Sequence, residues 1–383
     1  MKKYALVVGV AVATLSLGVP PAAAQFGGGI TGALNTASKV KKVADLKVTD
    51  AEERQIGQQV SDKMVETFGV YQDAHVTKYV TLVGAVMALQ SPRPGLDWQF
   101  VVLDTDGVNA FAAPGGFIHI TKGLLGLMKN EAELAGVLAH EIIHVTEKHT
   151  VNAIQKGDTI ALTSDSVGAA GGMTQSLIAD FAQRAYSNIL NGKFSRDDEN
   201  EADDKGAQLA NKVGYAPSGL SSALTKLIDR NKDAKEPNGL FATHPAMKER
   251  LTKIDATIRS KKLGATATVE ARYTKNITFD AKPASALATV AEGSRGLAGG
   301  EEKKPDAKAA EAEKKEEPKK SSGGMFSKLR PGGGSQAQQS QTVASAGARG
   351  VNPDRDAVGG SNKKRVPVKI GPNDIAEFQK GIA

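Results

Sequence analysis

A chain of 383 residues with 40% hydrophobic content has room for one large domain or two modest ones, yet aromatics at 5% and 41 glycines imply a folded body diluted by sequence unable to fold. No cysteine is present, which excludes disulfides, thiolate metal sites, a cysteine nucleophile and lipidation of an N-terminal cysteine. The net charge of +7 comes without a dense Lys/Arg stripe or interleaved aromatics, so nucleic-acid binding is not supported.

The chain opens with two lysines, an apolar run from Tyr4 to Val19, and Ala22 and Ala24 at the small-residue positions of a cleavage site. Residues 1–24 are therefore expected to be a signal peptide cut after Ala24, making the product periplasmic or secreted. No later stretch is long and apolar enough to span a bilayer. A glycine-rich flexible leader is expected over 25–48. A helix should begin at Thr49 or Asp50, with Glu52 and Glu53 in its first turn and Ile56, Val60, Met64 and Phe68 at helical spacing. A second is expected over Ala74–Leu89, stopping before Pro92 and Pro94. Three strand-like runs follow at 97–104, 108–114 and 116–121, the last two joined tightly through Pro114-Gly115-Gly116.

Asn130 to His149 reads as one buried helix, with Asn130 and Glu133 resembling a capping box. The small-residue segment 157–175 reads as a loop or loosely helical. Further helices are expected over 196–213, 218–231 and 243–260, closing a domain at 49–262. The segment 263–297 is an extension of uncertain character, in which 265–281 suits a strand pair. Gly/Ser/Gln/Ala-rich sequence with Lys/Glu clusters makes 298–365 a disordered linker, since it buries too little apolar surface to offset chain entropy. In 366–383, Asp374 can cap a short helix with Ile375, Phe378 and Ile382 on one side. Such a helix is too short to stand alone and is either a docking peptide, for instance for an envelope partner, or without a role.

Three of the six histidines fall within residues 139–149, "AHEIIHVTEKH". His140 and His144 differ by about 40° around a helix and so project from one face, where both imidazoles can reach one metal ion. Glu141 stands beside them, placed to take a proton from an activated water without ligating. His149 sits about 180° from His140 and cannot join unless the helix breaks sharply; it reads as structural or as support behind a ligand. A third protein ligand must come from elsewhere. In the acid cluster "SRDDENEADDKG", Glu199 and Asp203 share a face while Glu201 points about 200° from Glu199, as a solvated neighbour. One carboxylate of the paired face can ligate and the other can accept the outer N–H of a ligand histidine.

The segments "NAFAAPGGFIHITKGLL", "LAHEIIHVTEKH", "FSRDDENEADDKGAQLA" and "THPAMKERL", in that order over roughly residues 49–260, resemble the exported HtpX/BepA-like branch of the gluzincin zinc metalloproteases. The resemblance implies an α+β, mostly helical fold: a zincin-like domain with a small mixed sheet, here carrying a disordered C-terminal extension. It implies one zinc per chain, held by His140, His144 and Glu199, with Asp203 as the supporting aspartate and Glu141 as general base. Val108–Ala112 is similar to the edge strand along which such enzymes align an extended substrate, although Phe111 also suits an ordinary core strand. His244 could stabilise the oxyanion or fill the open coordination position of a latent enzyme, and Arg250 could pair with an active-site carboxylate. Some exported relatives attach tetratricopeptide repeats, which are not seen here, so partner binding by a repeat domain does not carry over. The expected activity is endopeptidase cleavage of extended or misfolded envelope proteins; the rival is a silent chaperone or scaffold on the same fold.

Overall fold

The computed structural model describes residues 47–157, 172–192, 194–232, 243–244, 247–287 and 357–382. The expected signal peptide, most of the leader and residues 298–356 of the expected linker lie outside these residues.

Helix α1 (Asp50–Phe68) starts at Thr49, whose hydroxyl accepts the Glu52 N–H while the Glu52 carboxylate accepts the Thr49 N–H at 2.8 Å. Helix α2 (Ala74–Leu89) is capped by Asp73, which accepts from the amides of His75 and Val76. Strands β1 (Gln99–Leu103), β2 (Ala110–Ala113) and β3 (Phe117–Thr121) form a mixed sheet in the order β1-β3-β2, with β1 parallel and β2 antiparallel to β3. Gly115 and Gly116, at φ of 72° and 98°, make the turn between β2 and β3; a Cβ on Gly115 would come within 2.6 Å of the Arg54 Cα.

Alternation along the strands divides the interior into two cores. Phe100, Val102, Ala112, Ile118 and Ile120 face one core together with α2. Val101, Leu103, Phe111 and Phe117 face the other, with Ile56, Val60, Met64 and Phe68 of α1. Burying each of those four α1 side chains stabilises the fold by roughly 1.5–3 kcal/mol, so amphipathic spacing rather than propensity holds the helix. Among the described residues β2 pairs with β3 alone, and its four residues are buried, Phe111 included.

After a short helix α3 (Lys122–Leu127), helix α4 (Glu131–Thr146) runs through the first core with all sixteen residues buried. Its cap is Asn130, whose side chain accepts the Glu133 N–H. The helix expected to continue to His149 does not: it ends at Thr146, Lys148 takes a left-handed φ of 58°, and α5 (His149–Gly157) begins afresh. An ion pair from Lys148 Nζ to the buried Glu53 at 2.9 Å holds the break. Residues 172–174, the described end of the segment expected to be a loop or loosely helical, are irregular, and a helix for which no expectation was formed, α6 (Gln175–Leu190), follows from its cap at Thr174. Leu177, Ile178, Phe181, Ala185 and Ile189 recur at helical spacing on its buried face and pack toward α1. Residues 158–171 lie outside the described residues.

Helices α7 (Arg196–Val213), α8 (Gly219–Arg230) and α9 (Met247–Ser260) complete the body around α4. The strand pair expected over 265–281 is not formed. Ala267 makes only an isolated bridge with Tyr215, the Thr268 carbonyl accepts the N–H groups of Glu131 and Ala132 at the start of α4, and α10 (Glu270–Asn276) follows. Burial of Tyr273 and Ile277, four residues apart, overrides the β propensity of the threonines and valine.

The disordered linker was expected to run to residue 365, but residues 357–365 are laid against the body. Gly360 N–H donates to Phe68 O and Asp104 O, and Val70 N–H donates to Asn362 O at 2.8 Å. A Cβ on Gly359 would meet the Phe68 backbone at 2.6 Å. Glycine at these positions serves backbone approach, a demand composition cannot distinguish from low complexity. The terminal helix α11 (Pro372–Lys380) forms but starts earlier than a cap at Asp374 would set it: Gly371 is the cap, and Asp374, in the first turn, accepts the Gly371 N–H at 2.9 Å. It docks within its own chain: Phe378 lies 3.9 Å beneath the Arg272 guanidinium and edge-on to Tyr79, and Ile382 is buried.

Candidate metal centre

Four elements bring the site together. Helix α4 presents His140 and His144 from one face, and their Nε2 atoms lie 3.1 Å apart. Helix α7, capped by a Ser195–Asp198 box, presents Glu199 and Asp203. It approaches α4 closely because Gly206 sits against the His140 backbone, where a Cβ would lie only 3.2 Å from His140 N. His244 comes from the segment before α9, and Arg250 from α9 itself.

Glu199 Oε2 is 3.6 Å from His140 Nε2, and Glu199 Oε1 is 3.6 Å from His144 Nε2. His244 Nδ1 lies 3.3 Å from His140 Nε2 and 2.8 Å from Glu199 Oε1. Ligands about 2.05 Å from a tetrahedral zinc ion stand roughly 3.3 Å apart, so these separations fit. The donor chemistry agrees. All four residues are buried and their ligand atoms lie within 4.8 Å of one another. Protons can bridge only some of these close nitrogen and oxygen pairs, whereas one cation satisfies every lone pair at once.

Around this cluster the charges are arranged in layers. Asp203 Oδ1 lies 3.0 Å from His140 Nδ1, and Arg250 grips Asp203 with two hydrogen bonds of 2.7 and 2.8 Å. Arg250 Nη1 is also 3.1 Å from Glu199 Oε2 and donates to the His244 carbonyl at 3.2 Å. Burial acts to raise the pKa of Glu199, but His244 and Arg250 outweigh it and hold the carboxyl below its ordinary range. Asp203 behaves alike, with Arg250 overcoming burial. Burial pushes His144 well below the usual histidine value, consistent with a neutral ligand. For His244 burial lowers the pKa, yet the neighbouring Glu199 and Glu141 carboxylates raise it overall.

Glu141 differs from its neighbours. Burial raises its pKa, and neither oxygen has a hydrogen-bond partner among the described residues. Its Oε1 is 3.6 Å from His244 Nε2. An orphaned, buried carboxyl with an elevated pKa beside a cation site is suited to exchanging a proton.

His140, Glu141, His144, Glu199, Asp203 and His244 thus lie together, and Arg250 joins them through both acids. Glu201 stands outside the cluster with a part-exposed side chain, as a neighbour pointing away would, and it also lies 3.2 Å from His149 Nε2. Phe194 was not anticipated. Its ring centroid is 4.3 Å from that of His144 and 5.7 Å from that of His244, stacked on the latter, so it walls one side of the cluster. The available signal was its position directly before the helix-capping Ser195.

A family model described as peptidase family M48 matches residues 74–258. Metalloprotease YcaL of Escherichia coli is 32% identical over 179 residues, covering 46% of this chain and 68% of that protein. The chain belongs to peptidase family M48. Beta-barrel assembly-enhancing proteases are also similar: that of Yersinia pestis is 30% identical over 198 residues, 50% of this chain and 40% of that protein. The Escherichia coli K12 protein is 28% identical over 219 residues, 55% and 44%. The chain spans less than half the length of these two relatives. The family match covers α2 through most of α9, and every residue of the metal cluster falls inside it.

Proposed function

We propose that this chain is a zinc-dependent endopeptidase acting on protein segments presented in extended form. The observation that carries the reading is the buried set of three imidazole nitrogens and one carboxylate, all within 4.8 Å of one another, with Glu141 beside it, whose oxygens have no hydrogen-bond partner among the described residues. His140, His144 and Glu199 would hold the ion, and this nitrogen–oxygen donor set without thiolates suits zinc in a catalytic setting. When bound, the ion supplies Lewis acidity at a water and at the scissile carbonyl. Glu141 takes a proton from the attacking water and delivers it to the departing amine nitrogen. Asp203 holds His140 in the tautomer protonated on Nδ1, leaving the Nε2 lone pair inward. The edge of β2 away from β3 would bind substrate backbone largely irrespective of side chains.

His244 occupies the fourth corner of the cluster, which favours a resting state closed by that imidazole over an oxyanion role. A permanently closed site would leave a silent scaffold, the second reading. The export signal expected in residues 1–24 and relatives named for β-barrel assembly support a role in envelope protein quality control. No described helix is long and apolar enough to cross a membrane. A partner for the terminal peptide would have to displace α11 from its seat on α2 and α10.

The test is casein cleavage by purified protein beside Glu141→Gln, each with and without chelator, with metal content measured in parallel. Zinc near one per chain and cleavage abolished by chelator and by Glu141→Gln are expected. Equal, chelator-insensitive cleavage in both proteins would remove the assignment.

A further inference from the structure

The two histidines of α4 have their outer nitrogens held in different ways. His140 Nδ1 meets a carboxylate directly, at 3.0 Å from Asp203. His144 Nδ1 instead faces His149 Nδ1 at 3.0 Å, and His149 Nε2 lies 3.2 Å from Glu201 Oε2. His144 and His149 are buried, whereas the Glu201 side chain is 42% exposed.

Two facing imidazole nitrogens bond only when one carries a proton and the other a lone pair. His144 Nε2 faces His140 Nε2 at 3.1 Å and Glu199 at 3.6 Å, so on the metal-centre reading its lone pair goes to the cation and its proton belongs on Nδ1. His149 Nδ1 must then accept, which leaves the His149 proton on Nε2, directed at the Glu201 carboxylate. Each nitrogen is used once and no donor faces a donor. The alternative acceptor, Asp198 Oδ1, is farther away at 3.9 Å. Lys205 Nζ fixes the far end, 2.7 Å from Glu201 Oε1 and 2.9 Å from Glu147 Oε2.

Local backbone geometry makes this possible. On an unbroken helix a residue five positions after His144 would lie about 140° around the axis. The left-handed turn at Lys148 swings His149 back onto the His144 ring, with centroids 4.9 Å apart.

We propose that His149 and Glu201 are positioning residues: an imidazole-to-carboxylate relay that sets the tautomer and orientation of His144 and so tunes metal affinity. The proposal rests on the metal-centre reading above, which sets the His144 tautomer from which the relay is built.

The full chain is tested in three ways: zinc affinity by chelator competition, melting temperature of the metal-free protein, and imidazole nitrogen NMR with and without zinc. His149→Phe, which keeps a ring and removes the acceptor, should weaken zinc binding about 10–100-fold. His149→Gln, whose carbonyl oxygen can accept from His144, should recover most of that loss, and Glu201→Ala should weaken binding several-fold with little change in metal-free melting. The spectra should show His149 protonated on Nε2 and His144 on Nδ1 in both forms. A His149 proton on Nδ1, or wild-type zinc affinity in both His149→Phe and Glu201→Ala, would overturn the relay. Should His149→Phe fail to fold, His149→Gln, Glu201→Ala and the tautomers decide. Should the wild type take up no zinc, the metal reading fails and the tautomers alone decide the relay.

Discussion

Arg250 neutralises two buried carboxylates at once, Asp203 through a bidentate contact and Glu199 at 3.1 Å. Removing it while keeping its bulk, as in Arg250→Met, leaves both acids buried without that partner. The expected loss is about 3–5 kcal/mol of unfolding free energy, read by urea denaturation of the metal-free protein. His244 offers a test with two signs. If its imidazole closes the resting site, His244→Ala should raise casein cleavage several-fold. If it stabilises the oxyanion instead, the variant should lose about 10²–10³-fold in kcat, measured with a saturating peptide. The pairs His140/His144 and Glu199/Asp203 could be found because four-residue spacing puts each pair on one helix face, with Glu141 flanked by the two histidines. His244 and the choice of Glu199 as ligand came from the family resemblance. The link from His149 to Glu201 could not be found by spacing, because helical arithmetic assumes a continuous helix and Lys148 breaks it.

Helices α4 and α7 meet where Gly206 lies against the His140 backbone, and that approach sets how near Glu199 comes to the imidazoles. Gly206→Val should force the two helices apart, costing about 1–3 kcal/mol of stability and weakening zinc binding more than an exposed substitution such as Lys212→Val. Thermal melting and chelator competition on the two variants would check this. Elements with a start signal and a long amphipathic period, α1, α2, α4, α7 and α8, were legible from their residues. Helix α6 carries the same period and was hidden by the small-residue run before it. Helix α10 ran against local β propensity and exists because Tyr273 and Ile277 fill the core beneath α4.

Across the whole molecule, the chain's last described segment completes the body. Residues 357–365 line the backbone near Phe68–Val70 and Asp104, and α11 seats Phe378 against Arg272 and Tyr79. Arg272 also binds the buried Glu131, the first residue of α4, so the terminal contact reaches the element that carries the histidines. Truncation after residue 356 should cost about 2–3 kcal/mol, lowering the melting temperature by about 4–12 °C. A synthetic peptide of residues 357–383 added in excess should restore part of that loss, and an unchanged melting temperature on truncation would contradict the docking.

Residue spacing by itself marked the histidine-bearing helix, the paired carboxylates and most of the other helices, because helix periodicity is a local rule that short motifs obey. The zincin-like fold and the full ligand set came from the family resemblance. Spacing could not assign the bend at Lys148, the approach of α7 at Gly206, the wall made by Phe194 or the seat of the tail. Those depend on which surfaces meet across long separations in the chain, where burial and backbone contact outweigh local preference.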